Sequence, residues 1–160
     1  MARAFYAPAA QASFTLLGLW WVVAQFKYAE WSATPAGRRL MYDVSLFFLL
    51  PGTMSLASLV SDDEPGVWRI AFGLLALAGA GEALASAIRS RADAGRRPLL
   101  EAGLTAGVVL YGLIGLVALA PGTAADASGL SSLELEGLMV AALLFLGVNM
   151  AWAVFQSRRA

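Results

Sequence analysis

The feature that most constrains this chain is the alternation of basic clusters with long apolar stretches. Nine of the eleven Lys and Arg residues fall in three clusters, at residues 27–39, 89–97 and 158–159. The apolar stretches between these clusters turn at acidic segments, residues 62–64 and 126–136. Because basic loops stay on the cytoplasmic side of a membrane, this pattern predicts both the number of membrane spans and their orientation.

The predicted fold is an all-α polytopic membrane protein, with residues 1–160 forming a single membrane domain. Hydrophobic residues make up 59% of the chain, whereas a soluble domain has about 45–50%. Five apolar runs, each of about the 20 residues that cross a bilayer, predict spans at residues 9–28, 40–60, 67–88, 99–120 and 135–155. The basic clusters then place the N-terminus outside and the C-terminus inside.

The composition also bounds the cellular setting and the chemistry. The excess of Arg over Lys, with abundant Ala and Gly, suggests a bacterial protein of the inner, or plasma, membrane. The chain has no cysteine and no histidine, so haem, copper, zinc and iron–sulfur centres lose their usual ligands. We therefore expect no metal site, no cofactor and, without a recognisable catalytic motif, no enzyme activity and no catalytic residue. A net charge of zero without a continuous basic face argues against nucleic-acid binding.

Polar side chains within the predicted spans are the candidate functional residues, because such groups are rare in membranes and usually face the bundle interior. Counting residues from the inner end of each span places six of them in the cytoplasmic half. They are Gln25, Lys27, Asp43, Glu82, Glu101 and Asn149. We expect these six to form a polar layer that lines a pore or an ion site.

Glu82 is the deepest of these carboxylates. An unpaired charge at this depth costs about 2.5–3.5 kcal/mol, so we expect Glu82 to pair with a cation, to carry a proton or to face water. The structural alternative is a packed Glu that is hydrogen-bonded to neighbouring helices. Asp43 and Glu101 each follow an Arg by four residues, which predicts an ion pair along one helix face. For Asn149 the simplest expectation is a hydrogen bond to another helix.

Glycine and proline predict where the helices bend and pack. Pro51 and Gly52 stand near the middle of the second span and predict a kink, either a static one or a hinge beside a site. Small residues four apart allow helices to approach closely. The small-residue positions are Gly79 and Gly81 in the third span and Gly103 and Gly107 in the fourth. They predict helix packing, with the third span at the bundle centre.

Local signals also predict three details at the span ends. Thr34 before Pro35 predicts a helix start, and Ser131 with Glu134 forms a capping-box pattern. Arg69, near the outer end of the third span, is expected to extend to lipid headgroups.

Two functions from different classes fit these features. The first is an oligomeric channel or transporter for an ion, a proton or a small solute, with the polar layer as its site. The second is a non-catalytic accessory or scaffold subunit of a larger membrane complex. We expect the partners to be the lipid bilayer and either further copies of this chain or a membrane complex. Convergence of the six polar groups favours the first function, since a scaffold needs no such layer.

Overall fold

The computed structural model is an all-helical bundle. It describes residues 2–61, 65–92 and 98–156, and the side chains of residues 4–61, 66–91 and 98–156. In these ranges the backbone forms α1 (Ala2–Phe26), α2 (Tyr28–Trp31), α3 (Pro35–Val60), α4 (Pro65–Ala92), α5 (Pro98–Leu119), α6 (Pro121–Ser128) and α7 (Ser132–Gln156). Five of these helices, α1, α3, α4, α5 and α7, are long and apolar enough to span a membrane.

The predicted spans correspond to these five long helices, so the all-α fold and the number of membrane-compatible helices are confirmed. Several helices are longer than predicted: α3 begins at Pro35 rather than at residue 40, and α7 at Ser132 rather than at residue 135. Two short helices, α2 and α6, occupy connections between the predicted spans. Which end of the bundle faces the cytoplasm stays a prediction.

Side-chain caps fix where two of the long helices begin. Thr34 has an extended backbone, and its hydroxyl accepts a hydrogen bond from the Gly37 N–H at 3.1 Å. At α7, the Ser131 N–H and hydroxyl both donate to the Glu134 carboxylate, at 3.0 and 2.8 Å. The predicted cap and capping box are therefore confirmed. They satisfy backbone donors that have no partner within the helix.

The centre of the bundle is α3, and the prediction that the third span (α4) occupies it is wrong. In the most apolar 18-residue part of α3, 61% of the residues are buried, against 33% in α4. The reason is that α3 packs against α1, α4 and α7, whereas among the described helices α4 packs only against α3 and α5. Phe47, Phe48 and Met54 of α3 are almost fully buried.

The two ends of the bundle differ in charge, and we call them the basic end and the distal end. The basic end is where α1 ends and α3 begins, and it carries Lys27, Arg38 and Arg91. The distal end holds the starts of α1 and α7. There the Arg69 guanidinium donates to the carbonyl oxygens of Ala118 and Leu119, at 3.0 and 3.2 Å. Arg69 therefore caps the C-terminus of α5, where a cation is favourable, instead of extending to headgroups as predicted.

Three of the four predicted packing glycines lie at close helix contacts. An added Cβ at Gly79 would lie 2.7 Å from the Tyr111 ring, one at Gly107 would lie 2.6 Å from the Phe47 ring, and one at Gly103 would collide with Met150. A Cβ at Gly81 would meet nothing within 4 Å. The packing role predicted for Gly81 is therefore wrong within this chain, because the residue lies on the open face of α4.

Helix α3 runs through Pro51 without ending. Proline removes the donor that the Phe47 carbonyl would otherwise have. The Ser55 hydroxyl donates to the Pro51 carbonyl at 2.8 Å, so it does not fill that gap. The Phe47 carbonyl oxygen lies close to α7: a Cβ added to Gly147 of that helix would be 3.3 Å from this oxygen. The role of Pro51 and Gly52 as a hinge stays a prediction.

Candidate functional site

At the basic end, an arginine joins two carboxylates from two helices. Arg39 of α3 donates a hydrogen bond to Glu82 of α4, and its Nε lies 3.6 Å from Asp43 on the next turn of α3. The spacing of four residues places Arg39 and Asp43 on one helix face. The packing of α4 against α3 then brings Glu82 to the same guanidinium. Glu82 thus pairs with a cation, one of the three states expected from the sequence.

Ser86 and Arg89 extend this group along α4. The Ser86 hydroxyl lies within hydrogen-bonding reach of the Asp43 carboxylate, and Arg89 donates to the Ser86 oxygen at 3.3 Å. We call Arg39, Asp43, Glu82, Ser86 and Arg89 the basic-end network. Its two arginines balance its two carboxylates. The Asp43 side chain is 7% exposed, whereas those of Arg39 and Glu82 are each 40% exposed, so the network reaches the bundle surface.

A narrow crevice leads from this network toward the core. Asp43, Glu82, Leu104 and Tyr111 are among the residues that line it, and its volume is about 10 Å³. A cavity needs roughly 10–15 Å³ by this measure to hold one water molecule. The Tyr111 hydroxyl lies at its inner side and donates to the Leu46 carbonyl at 3.4 Å. The crevice is therefore too small for a hydrated ion or a solute.

The other candidates from the sequence do not join this network. Gln25 and Lys27 are exposed, and Lys27 pairs with Glu30 at 3.3 Å. Asn149 is also exposed, and its amide donates to the Phe145 carbonyl of its own helix at 2.7 Å rather than to a neighbouring helix. The structure thus brings together only Asp43 and Glu82 of the six, because the remaining helices turn their polar residues toward other faces.

Glu101 lies apart from the network, in a groove between α4 and α5. It shares this groove with Arg91. One of its carboxylate oxygens, Oε1, is buried and has no hydrogen-bond partner. The ion pair predicted between Glu101 and Arg97 involves a residue outside the described ranges.

Glu136 is the candidate that sequence reasoning missed. In the sequence it ends an acidic segment that is expected outside the membrane, but it lies in α7 and is 0% exposed. Within the part of the chain that the structure describes, neither of its carboxylate oxygens has a hydrogen-bond partner. A signal was present, because Glu136 stands four and seven residues before the buried Val140 and Leu143. That spacing defines one face of a helix.

Glu136 lies near an aromatic cluster that begins at Tyr6. Tyr6 of α1 is its electrostatic neighbour, but the Tyr6 hydroxyl donates to the Leu133 carbonyl at 2.7 Å and not to the carboxylate. Tyr6 packs edge-on against Phe72, which packs edge-on against Trp68, with ring centroids 6.2 and 5.8 Å apart. This buried carboxyl thus has neither a cation nor a hydrogen-bond donor beside it among the described side chains.

No group of three or more acidic side chains within the described ranges could hold a metal ion. The chain matches no family model, and the comparisons find no similar curated protein and no similar solved structure. The function therefore has to be inferred from the placement of the ionisable groups.

Proposed function

We propose that this chain is a membrane transport protein that carries protons, without a catalytic role. It would use Glu136 at the distal end and the basic-end network as its two proton-exchanging sites. The observation that carries the proposal is Glu136, a fully buried carboxyl whose two oxygens have no hydrogen-bond partner among the described residues. An ionisable side chain in a membrane-spanning helix points to function by default.

Glu136 contributes nothing to the stability of the fold that an apolar residue at this position would not contribute. A buried polar group without a hydrogen bond costs about 1–3 kcal/mol. Glu136 therefore lowers the free energy of unfolding and has no visible structural role. The basic-end network differs, because each of its carboxylates has a cation or a donor beside it.

The size of the crevice favours protons over larger species. Proton relays in membranes use carboxylates and hydrogen-bonding groups rather than an open pore. Helix α3 carries buried hydroxyl groups along the bundle centre: Ser45 follows Asp43 by two residues, and Ser55, Ser58 and Ser61 are buried toward the distal end. Ser58 is buried without a partner for its hydroxyl. The apolar stretch 46–52 interrupts this series, so transport requires a rearrangement there.

The basic clusters supply the orientation in this proposal. If basic segments stay in the cytoplasm, the basic-end network faces the cytoplasm and Glu136 lies in the outer half. The chain is then a multi-pass protein of a bacterial plasma membrane. We retain the expectation of a homo-oligomer, which the mass of the purified complex in nanodiscs tests directly.

An accessory or scaffold subunit is the second candidate function, and one observation favours it. The basic-end network is balanced in charge, as expected if it only holds α3 against α4. In this case Glu82 needs no access to water, and no flux exists in any variant.

Proteoliposomes separate the two functions. The purified chain is reconstituted with a pH-sensitive dye inside, and a potassium diffusion potential drives protons inward. We expect acidification with the wild type, loss of it with Glu136→Gln, and a reduced rate with Glu82→Gln. Glu134→Gln is the matched control, because it lies two residues from Glu136, is exposed and can still cap α7. If vesicles with the wild-type protein admit protons no faster than protein-free vesicles, the transport function is wrong and the accessory function replaces it.

A further inference from the structure

The groove that contains Glu101 lies at the basic end, between the end of α4 and the start of α5, apart from the crevice beside the basic-end network. Its volume is about 810 Å³, and Arg91, Glu101, Thr105, Val109 and Leu110 are among the residues that line it. Helix α5 advances about 1.5 Å per residue, so Leu110 lies roughly 14 Å deeper than Glu101. The groove is thus charged at its mouth and apolar along its length.

The two charged groups at the mouth have opposite signs, and neither has an ion-pair partner among the described residues. Arg91 is exposed, and no acid in the described ranges forms an ion pair with it. The Glu101 Oε1 atom is buried without a hydrogen bond. A buried acceptor left unpaired costs about 1–3 kcal/mol. The mouth therefore presents a donor fork for an anion and the half-buried Glu101 carboxylate for a cationic N–H group.

We propose that this groove binds a phospholipid whose headgroup carries a primary ammonium, as in phosphatidylethanolamine. The Arg91 guanidinium binds the phosphate, for which its planar fork of donors is suited. The ammonium donates a hydrogen bond to the Glu101 carboxylate, and one acyl chain lies along Ala102, Ala106, Val109 and Leu110. The site is independent of the proposed proton transport.

The alternatives differ from this headgroup by one property each. A choline headgroup has the same charges but no N–H donor, so it donates no hydrogen bond to the Glu101 carboxylate. A glycerol headgroup is anionic overall and offers the carboxylate no cation. The preference among the three lipids therefore reports on Glu101, whereas overall retention reports on Arg91.

Native mass spectrometry of the purified full chain tests this site. The delipidated protein is mixed in detergent with equal amounts of dioleoyl phosphatidylethanolamine, phosphatidylcholine and phosphatidylglycerol, and the bound lipids are counted. We expect about tenfold more ethanolamine lipid than choline lipid, the effect of one hydrogen bond to a charged group. Glu101→Gln should abolish this preference, and Arg91→Gln should lower the retention of both lipids.

Two variants control for loss of charge elsewhere. Glu134→Gln removes an acid at the distal end, and Arg38→Gln removes an exposed arginine at the basic end. Both should retain the wild-type preference, and thermal unfolding of each variant shows that it is folded. Equal binding of the ethanolamine and choline lipids to the wild type would overturn the proposal. So would a preference that survives Glu101→Gln, or stronger binding of phosphatidylglycerol.

Discussion

Replacing Glu136 by methionine should make this protein more stable. Methionine has a similar length and shape but no polar atom that needs a partner, and it adapts well to irregular core space. Glu136 is 0% exposed, and both of its carboxylate oxygens are unpartnered. The substitution removes these groups without opening a cavity. A residue kept for its chemistry commonly lowers stability in this way.

The expected magnitude follows from the cost of the unpaired carboxyl. Removing a buried polar group that lacks its hydrogen bonds raises the free energy of unfolding by about 1–3 kcal/mol. For a chain of this length, each kcal/mol shifts the midpoint of thermal unfolding by about 2–4 °C. We therefore expect the Glu136→Met midpoint to rise by roughly 2–12 °C. The midpoint of Glu136→Gln should rise less, because glutamine keeps a polar end.

Tryptophan fluorescence during heating in detergent measures this change. Trp68 is a suitable reporter, because it is 8% exposed and is linked to Tyr6 through Phe72. Glu134→Gln should leave the midpoint unchanged, since glutamine also serves in a capping box. A lower midpoint for Glu136→Met than for the wild type would refute the reasoning. It would show that the carboxyl stabilises the fold, and the argument for proton transport would lose its main support.

Three further predictions concern packing, charge and topology. Gly107→Leu should lower the free energy of unfolding in detergent by about 1–3 kcal/mol or more for overpacking, because a Cβ there already meets Phe47. Gly81→Leu should leave the free energy of unfolding unchanged, and equal loss in both variants would place Gly81 inside the core. Arg39→Gln should destabilise the bundle in the same assay, and additional replacement of Glu82 by Gln should restore part of the loss, since fewer acids then lack a cation; simple additivity of the two losses would contradict the pairing. A reporter active only in the cytoplasm should give signal when fused at the C-terminus and none at Gly129, and the reverse result would invert the proposed orientation.

The residues that bring the basic-end network together show how far local sequence reasoning extends. The pairing of Arg39 with Asp43 follows from a spacing of four residues, and the capping of α7 from a pattern of four. The pairing of Arg39 with Glu82 joins residues 43 positions apart. It depends on how α4 is rotated against α3, and no local pattern encodes that rotation.

The sequence by itself determined the five membrane-compatible helices and their caps. Apolar run length and the need to satisfy backbone groups inside lipid leave few other structures. Tertiary structure decided which face of each helix points inward. Gly79 and Gly81 look alike in sequence, yet only Gly79 meets another helix, and Glu136 is buried although it ends an acidic segment. Close side-chain contacts such as Gly107 with Phe47 set these rotations, and they form between residues far apart in the chain.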